Sequence, residues 1–388
     1  MKKISLAAAF AAMAGLAFAQ LQAGRVGLPE GARALRDLAY VENGHARQKL
    51  DLYLPAQAKG PLPLIIWVHG GGWQNGTKDG CPPARQGFLQ RGYAVASLEY
   101  RLSGDAIFPA QIEDCKAGVR WLRAHAKEYG LDPDRFGVWG SSAGGHLVAL
   151  LGTSGCEKGF DVGPNLNVSS RVQAVCDYYG PSDLTQMDSH AVSGARLKHD
   201  DAKSPEACLL GGPVQENKEK AARANPITYV TTNALPPFLI VHGTSDPVVP
   251  FHQSELLFEA LKQAGGNVRL HRVMGAGHGQ GIGGPEIDAL VNGFFDRWLK
   301  EGQAASAEAS RTESASIAAP ARQQNDRPRA AGGAAIRPRV SFEQVLARED
   351  ANKDGRITKE EFKGPPPLFQ RLDSNGDGVL TKEDFNRD

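Results

Sequence analysis

The chain has 388 residues, enough for one large α/β domain and a smaller companion. Its 44 basic and 43 acidic residues nearly cancel, leaving a formal net charge of +1, so neither nucleic acid nor an anionic membrane is the expected main partner. Five cysteines with no CxxC spacing and no Cys/His cluster give no sign of zinc.

Residues 1–19 begin with Lys2 and Lys3, run apolar to Phe18 and end in the small-x-small triplet Ala17-Phe18-Ala19. This is the pattern of a secretory signal peptide cleaved between Ala19 and Gln20. The apolar run is short of the roughly 20 residues a membrane span needs, and no later stretch is long or apolar enough. The expected mature protein is exported, to periplasm or medium. Export permits disulfides, but an odd cysteine count leaves at least one thiol unpaired. Cys115 and Cys176 fall in core patterns and read as buried free thiols, whereas Cys156 and Cys208 could bridge two loops.

Further along, residues 50–54 alternate apolar and polar as an edge strand does, and 64–68 form a continuous apolar strand. That strand runs into His69-Gly70-Gly71-Gly72-Trp73. Residues 93–97 give the next strand, and 108–129 carry Ile112, Cys115, Val119 and Leu122 at helical spacing, stopped by Gly130 and Pro133. Strand 135–139 leads into Gly140-Ser141-Ser142-Ala143-Gly144 and then a helical run over 146–151. Strands at 171–178, 237–242 and 268–273 follow, with a closing helix at 287–299. Strands alternating with helices imply a doubly wound, mostly parallel sheet over residues 25–300.

The G-x-S-x-G pentapeptide between a strand and a helix forces a tight turn that raises Ser142 clear of the sheet. A serine hydroxyl is a poor nucleophile, so it needs a base, and the base needs an acid to orient it. In chain order these should be serine, then Asp or Glu, then histidine. Asp246 lies just past strand 237–242, and His278, between glycines, just past strand 268–273. His242, His252 and His271 sit in or beside strands and a helix and read as structural. Asp177 and Asp183 follow an earlier strand; Asp183 comes too early for the acid and could shape the pocket. The His69–Gly72 loop offers unblocked backbone, and the amides of Gly71, Gly72 and Ala143 are the expected oxyanion donors, each worth about 3 kcal/mol. No G-x-x-x-x-G-K-[ST] is present, which argues against a nucleotide.

These segments, together with Tyr100-Arg101-Leu102, Tyr179-Gly180-Pro181-Ser182-Asp183 and the histidine that follows Gly144-Gly145, resemble the α/β-hydrolase esterases. Among them the chain is most similar to the bifunctional feruloyl and acetyl-xylan esterase group, related to the hormone-sensitive-lipase-like carboxylesterases. The resemblance spans roughly residues 35–300. It implies an α/β-hydrolase fold and hydrolysis of carboxylic esters, of acetyl or feruloyl groups on plant polysaccharides, with no cofactor in the catalytic step. The short N-terminal segment cannot supply the helical cap of the lipase-like relatives, so substrate selection is expected from loops within residues 181–235. A peptidase or amidase using the same triad, and a calcium-dependent adhesion protein using the fold as a scaffold, are the alternatives.

Residues 301–339 are rich in Ala, Ser, Arg, Gln and Pro and cannot bury a core, so a disordered linker is expected there. Residues 340–388 differ again. Asp350, Asn352, Asp354, Arg356 and Glu361 fall at positions 1, 3, 5, 7 and 12 of a calcium loop, with Gly355 at 6. Asp373, Asn375, Asp377, Val379 and Asp384 repeat the pattern, with Asp in place of Glu at the end. Ile357 and Leu380 stand where paired loops meet. The reading is a compact EF-hand pair that binds calcium, with a stabilising or docking role.

Overall fold

Unbroken apolar runs mark strands buried on both faces, and such runs build the centre of this molecule. The structure, a computed structural model, describes residues 27–301 apart from 196, 233 and 234. In the C-terminal segment it describes residues 346, 352, 354–358, 361–362 and 378–381. The signal peptide expected over 1–19 lies outside the described residues, as does the expected linker but for residue 301.

Eight strands form one sheet: β1 (Arg33–Ala39), β2 (Lys49–Leu54), β3 (Leu62–Val68), β4 (Ala94–Leu98), β5 (Leu131–Ser141), β6 (Ala174–Tyr178), β7 (Phe238–Gly243) and β8 (Val268–Val273). Their order is β1-β2-β4-β3-β5-β6-β7-β8, with β1/β2 and β2/β4 antiparallel and every other pair parallel. The helices are α1 (Pro82–Arg85), α2 (Ala110–Ala124), α3 (Ala126–Tyr129), α4 (Ala143–Thr153), α5 (Pro205–Leu210), α6 (Lys218–Ala224), α7 (His252–Gln263) and α8 (Pro285–Leu299). The expected helix over 108–129 is thus two helices, broken at His125.

Successive residues of each central strand serve opposite faces, as the two-residue period requires. Leu64, Ile66 and Val68 of β3, with Ala94, Ala96 and Leu98 of β4, pack into one core shared with α2, α4 and α7. Ile65, Trp67, Val95, Trp139, Leu239 and Val241 pack into the other, shared with α1 and α8. The second core is aromatic at its centre: Phe88 stands edge-on to both Phe295, at 5.9 Å, and Trp139, at 6.1 Å.

One strand departs from expectation. Residues 50–54 lie inside the sheet, and the edge belongs to β1, whose sequence RALRDLA carries no apolar run. Leu35 and Leu38 of β1 pack against the core, and charge adds to that hold: Arg36 donates to Asp51 at 2.9 Å, and Lys78 bridges Asp51 and Asp37 at 3.0 and 2.9 Å. All five cysteines are free, so Cys156 and Cys208 do not bridge. No helix among the described residues is long and apolar enough to cross a membrane.

The chain divides into two compact units, Met1–Ala318 and Ala319–Asp388. In the second, β9 (Ile357–Thr358) and β10 (Val379–Leu380) pair antiparallel with Ile357 opposite Leu380, as the loop positions implied. Both side chains are fully buried.

Phe295→Ala, in the aromatic core, should lower the unfolding free energy by about 3–5 kcal/mol through lost burial and the cavity left behind. The readout is the urea midpoint at unchanged slope. A loss under about 1 kcal/mol would show that the α8 contact is not part of the cooperative core.

Candidate active site

Ser142 stands at the junction of β5 and α4 with φ 56° and ψ −122°, a backbone conformation costly for a residue with a side chain. Two hydrogen bonds hold it there: its N–H donates to the Tyr178 carbonyl at 2.8 Å, and its own carbonyl accepts from His146 N–H at 2.9 Å. The flanking glycines are required by space. A Cβ on Gly140 would collide with the Gly144 carbonyl, and one on Gly144 with the carbonyls of Val68 and His69 at the end of β3.

The loops after β7 and β8 bring the expected partners to this serine. His278 Nε2 lies 3.0 Å from Ser142 Oγ, and His278 Nδ1 lies 2.8 Å from Asp246 Oδ2. Since a carboxylate only accepts, Nδ1 carries the proton and Nε2 is left to accept from the serine hydroxyl. Asp246 is fully buried while His278 keeps 22% of its side chain exposed. Burial alone would raise the Asp246 pKa, but hydrogen bonds from His242 and His278 outweigh it and hold the carboxyl well below the usual carboxylate range. Oδ1 accepts from the amides of Val248 and Val249 at 2.8 and 2.9 Å.

His242 reads from sequence as a structural histidine. It is buried and bonded to Ser254 Oγ and the Val249 carbonyl, yet its Nε2 also lies 3.3 Å from Asp246 Oδ2. The acid therefore has two imidazole neighbours, and the His-Gly-Thr-Ser-Asp segment carried that signal as an i,i+4 spacing. Tyr179 was also without an assigned role; its ring meets His278 edge-on with centroids 4.7 Å apart.

The His69–Trp73 loop is anchored at both ends. Tyr100 donates to the His69 carbonyl at 3.0 Å and stacks on the His69 ring at 4.4 Å. Burial lowers the His69 pKa to about 4, so the ring is neutral at neutral pH. At the other end Trp73 Nε1–H donates to His146 Nδ1 at 3.2 Å, and His146 Nε2–H donates to the Ala224 carbonyl at 2.8 Å. Burial lowers the His146 pKa to about 4 too, which keeps this relay uncharged. Gly71, Gly72 and Ala143 line the same cavity of about 470 Å³ as Ser142 and His278. Pro181, Leu197, His199, Pro205 and Glu206 form another part of its wall, within the 181–235 stretch expected to select substrate. Asp183 does not line that cavity; it accepts from Thr185 N–H and Asn225 Nδ2, fixing the loop behind.

Asp177 sits at the end of β6, behind the serine turn. It is fully buried; Oδ1 accepts from Gly180 N–H at 2.9 Å, and Oδ2 has no partner among the described residues. Burial pushes its pKa up to about 7 against that bond.

In the C-terminal unit Asn352, Asp354, Arg356, Glu361 and Val379 are described, whereas Asp350, Asp373, Asn375, Asp377 and Asp384 lie outside the described residues. Glu361 folds back on the first loop, its oxygens accepting from Asn352 N–H at 3.3 Å and Thr358 N–H at 3.0 Å. Asp354 accepts from Arg356 N–H at 2.9 Å. Carboxylate and carboxamide oxygens on one short loop are hard donors that fit calcium better than a soft metal.

A mostly parallel sheet with a strained serine after its fifth strand defines an α/β-hydrolase. The BD-FAE family model matches residues 50–261, more than half of the chain, and the chain belongs to that family. The EF hand model matches residues 343–364 and 367–387. A carbohydrate esterase from gut microbiota, in truncated form, is similar at 31% identity and TM-score 0.64, over 70% of this chain and 99% of that one. A bifunctional GH43-CE protein of Bacteroides eggerthii is similar at 35% identity and TM-score 0.62, over 69% of this chain and 35% of that one. The probable carboxylic ester hydrolase LipM of Mycobacterium tuberculosis is 30% identical over 236 residues, 58% of this chain and 51% of LipM. The chain spans about half the length of the curated relatives it matches.

Asp177 generates a pH-dependent prediction. Its folded pKa is raised, so the folded state holds the proton to higher pH than the unfolded chain. The associated stability is complete below about pH 4 and is lost as pH rises through about 7, at about 1.4 kcal/mol per unit. Asp177→Asn has no such loss. Unfolding free energies from urea titration should shift in the variant's favour by roughly 1–3 kcal/mol between pH 5 and pH 7. A pH-independent difference would mean that Asp177 does not titrate in this window.

Proposed function

We propose that the chain is an exported serine hydrolase of carboxylic esters that removes acetyl or feruloyl groups from plant polysaccharides. The observation that carries the reading is the hydrogen-bonded series Ser142–His278–Asp246 at a cavity that also holds the His69–Trp73 loop. In this mechanism Ser142 Oγ attacks the ester carbonyl while His278 Nε2 takes its proton. Asp246 accepts from Nδ1 and stabilises the imidazolium. The amides of Gly71, Gly72 and Ala143 receive the oxyanion, aided by the N-terminus of α4. Collapse expels the alcohol, which takes the proton from Nε2. Water then hydrolyses the acyl-enzyme, with His278 as base. The carbohydrate esterase and GH43-CE relatives favour an acylated sugar over a lipid ester.

The test is turnover of nitrophenyl acetate, acetylated xylan and methyl ferulate. Ser142→Ala should lose at least about 10³-fold in kcat, and Asp246→Asn should lose a comparable factor through the wrong imidazole tautomer. Activity retained in Ser142→Ala would refute the nucleophile. Wild-type inertness to all esters would favour the adhesion reading, and cleavage of peptides alone the peptidase reading.

For the C-terminal unit the proposal is a calcium-binding EF-hand pair that takes no part in the chemistry, serving stability or docking. Calorimetric titration of the full chain should show calcium binding that disappears in the Asp350→Ala/Asp373→Ala variant. Chelator should leave ester turnover within about twofold, since no triad or oxyanion group is a calcium ligand. Abolished turnover would instead show that the pair acts on the catalytic unit.

A further inference from the structure

Beside the proposed nucleophile the cavity wall carries an ion pair for which the triad has no use. Glu206, in α5, is 3% exposed, and His199, in the preceding loop, 2%. His199 Nδ1 lies 3.0 Å from Glu206 Oε1, and its Nε2 lies 2.9 Å from the Val248 carbonyl. Both ring nitrogens face acceptors, a carboxylate and a carbonyl, so the imidazole satisfies both only as the doubly protonated cation. Burial opposes that charge, and the Glu206 carboxylate outweighs it, with the His199 pKa raised as a result.

The second carboxylate oxygen is short of a donor. Glu206 Oε2 is buried and has no hydrogen-bond partner among the described residues, although both His199 and Glu206 line the cavity. A buried acceptor left unpaired costs about 1–3 kcal/mol, more when it carries charge. The last torsion of a glutamate is soft, so the carboxylate has freedom to turn towards a donor in the cavity that Glu206 lines. Water can donate to it in the cavity free of substrate, and in the occupied one a hydroxyl of the substrate takes that place. Asp188 also acts on His199, its oxygens accepting from the backbone N–H groups of His199 and Asp200 at 2.9 Å; the His199–Glu206 pair itself carries no net charge to attract a cation. It suits a neutral donor.

We propose that Glu206, oriented by His199, is a specificity-determining residue whose Oε2 accepts a hydrogen bond from a hydroxyl of the ester substrate. The proposal rests on the ester-hydrolase reading and deepens it. Two groups supply that chemistry: a free hydroxyl on the acylated sugar, or the phenolic hydroxyl of a feruloyl group. A site built to receive a hydroxyl rejects an ester lacking one, because the acceptor is then buried unpaired.

The experiment compares kcat/KM for three enzymes, wild type, E206L and E206Q, in the full chain. The esters are nitrophenyl acetate, which has no hydroxyl; a mono-acetylated methyl xyloside, which has sugar hydroxyls; and methyl ferulate beside its 4-O-methyl ether. In E206L the ratio of kcat/KM for a hydroxyl-bearing ester to that for nitrophenyl acetate should fall at least about 100-fold. In E206Q the one amide oxygen stays on His199 and the amide N–H2 can only donate to the hydroxyl, so the weaker, neutral bond should leave a fall of about 10-fold. A fall confined to the xyloside assigns the sugar hydroxyl; one confined to methyl ferulate, absent from its ether, assigns the phenol. A ratio unchanged within about threefold in both variants would overturn the proposal, whatever happens to the absolute rates. Wild-type turnover of nitrophenyl acetate with none of the hydroxyl-bearing esters would overturn it and leave the ester-hydrolase reading standing. Inertness to every ester would remove that reading, and this one with it.

Discussion

Everything at the cavity depends on how closely helix α4 can approach the end of β3. Val68 pairs with Gly140 across the sheet, so β3 and β5 end side by side. β3 leads to β4 on one flank and the chain then returns to β5 on the other, which makes this gap the point where strand order reverses. Open α/β sheets hold their ligands at such crevices. The glycine at 144 lets the helix start against the carbonyls of Val68 and His69, so the turn at Ser142 and the glycine loop emerge together. Trp73, His146 and Ala224 then tie the loop to α4 and α6 through two hydrogen bonds made by neutral groups.

Charge is handled differently on the acid side. Asp246 is ionised in a fully buried place, where an unpaired carboxylate would be very costly. Two backbone amides and two histidines make up for lost water. Since Oδ1 is taken by Val248 and Val249, Oδ2 alone faces the imidazoles, and the orientation of His278 follows from the tightness of that local turn.

The succession of strands along the chain and the residues that meet Ser142 were legible because each is written locally, whereas the order of strands across the sheet was not. Consecutive apolar residues at 64–68 and 238–241 have only one comfortable setting, a strand buried on both faces, and the strand ends announce the loops that matter. β1 was not legible, since a strand carrying Arg36 and Asp37 shows no apolar run, and their counter-charges, Asp51 and Lys78, come from elsewhere in the chain. The role of His242 was hidden for a related reason: its position in a strand says structural, and only three-dimensional proximity adds Asp246. Glu206 carries no pattern at all. It is one glutamate in a six-residue helix, and its meaning comes from His199, seven positions earlier, turning to meet it.

The wall of the cavity has a different standing from its floor. Ser142, Asp246 and His278 sit on turns closing strands of the main sheet, where a displaced residue disturbs the packing of both cores. His199, Pro205 and Glu206 belong to the long excursion between β6 and β7, which returns to the sheet without adding a strand. Leu209, Leu210, Ala221 and Ala224 tie the excursion into the larger core, while His199, Pro205 and Glu206 face the cavity. Cavity-facing side chains of the excursion can therefore change with the sheet left intact, and the whole excursion, its core leucines included, is the natural unit for transplanting selectivity from one scaffold to another.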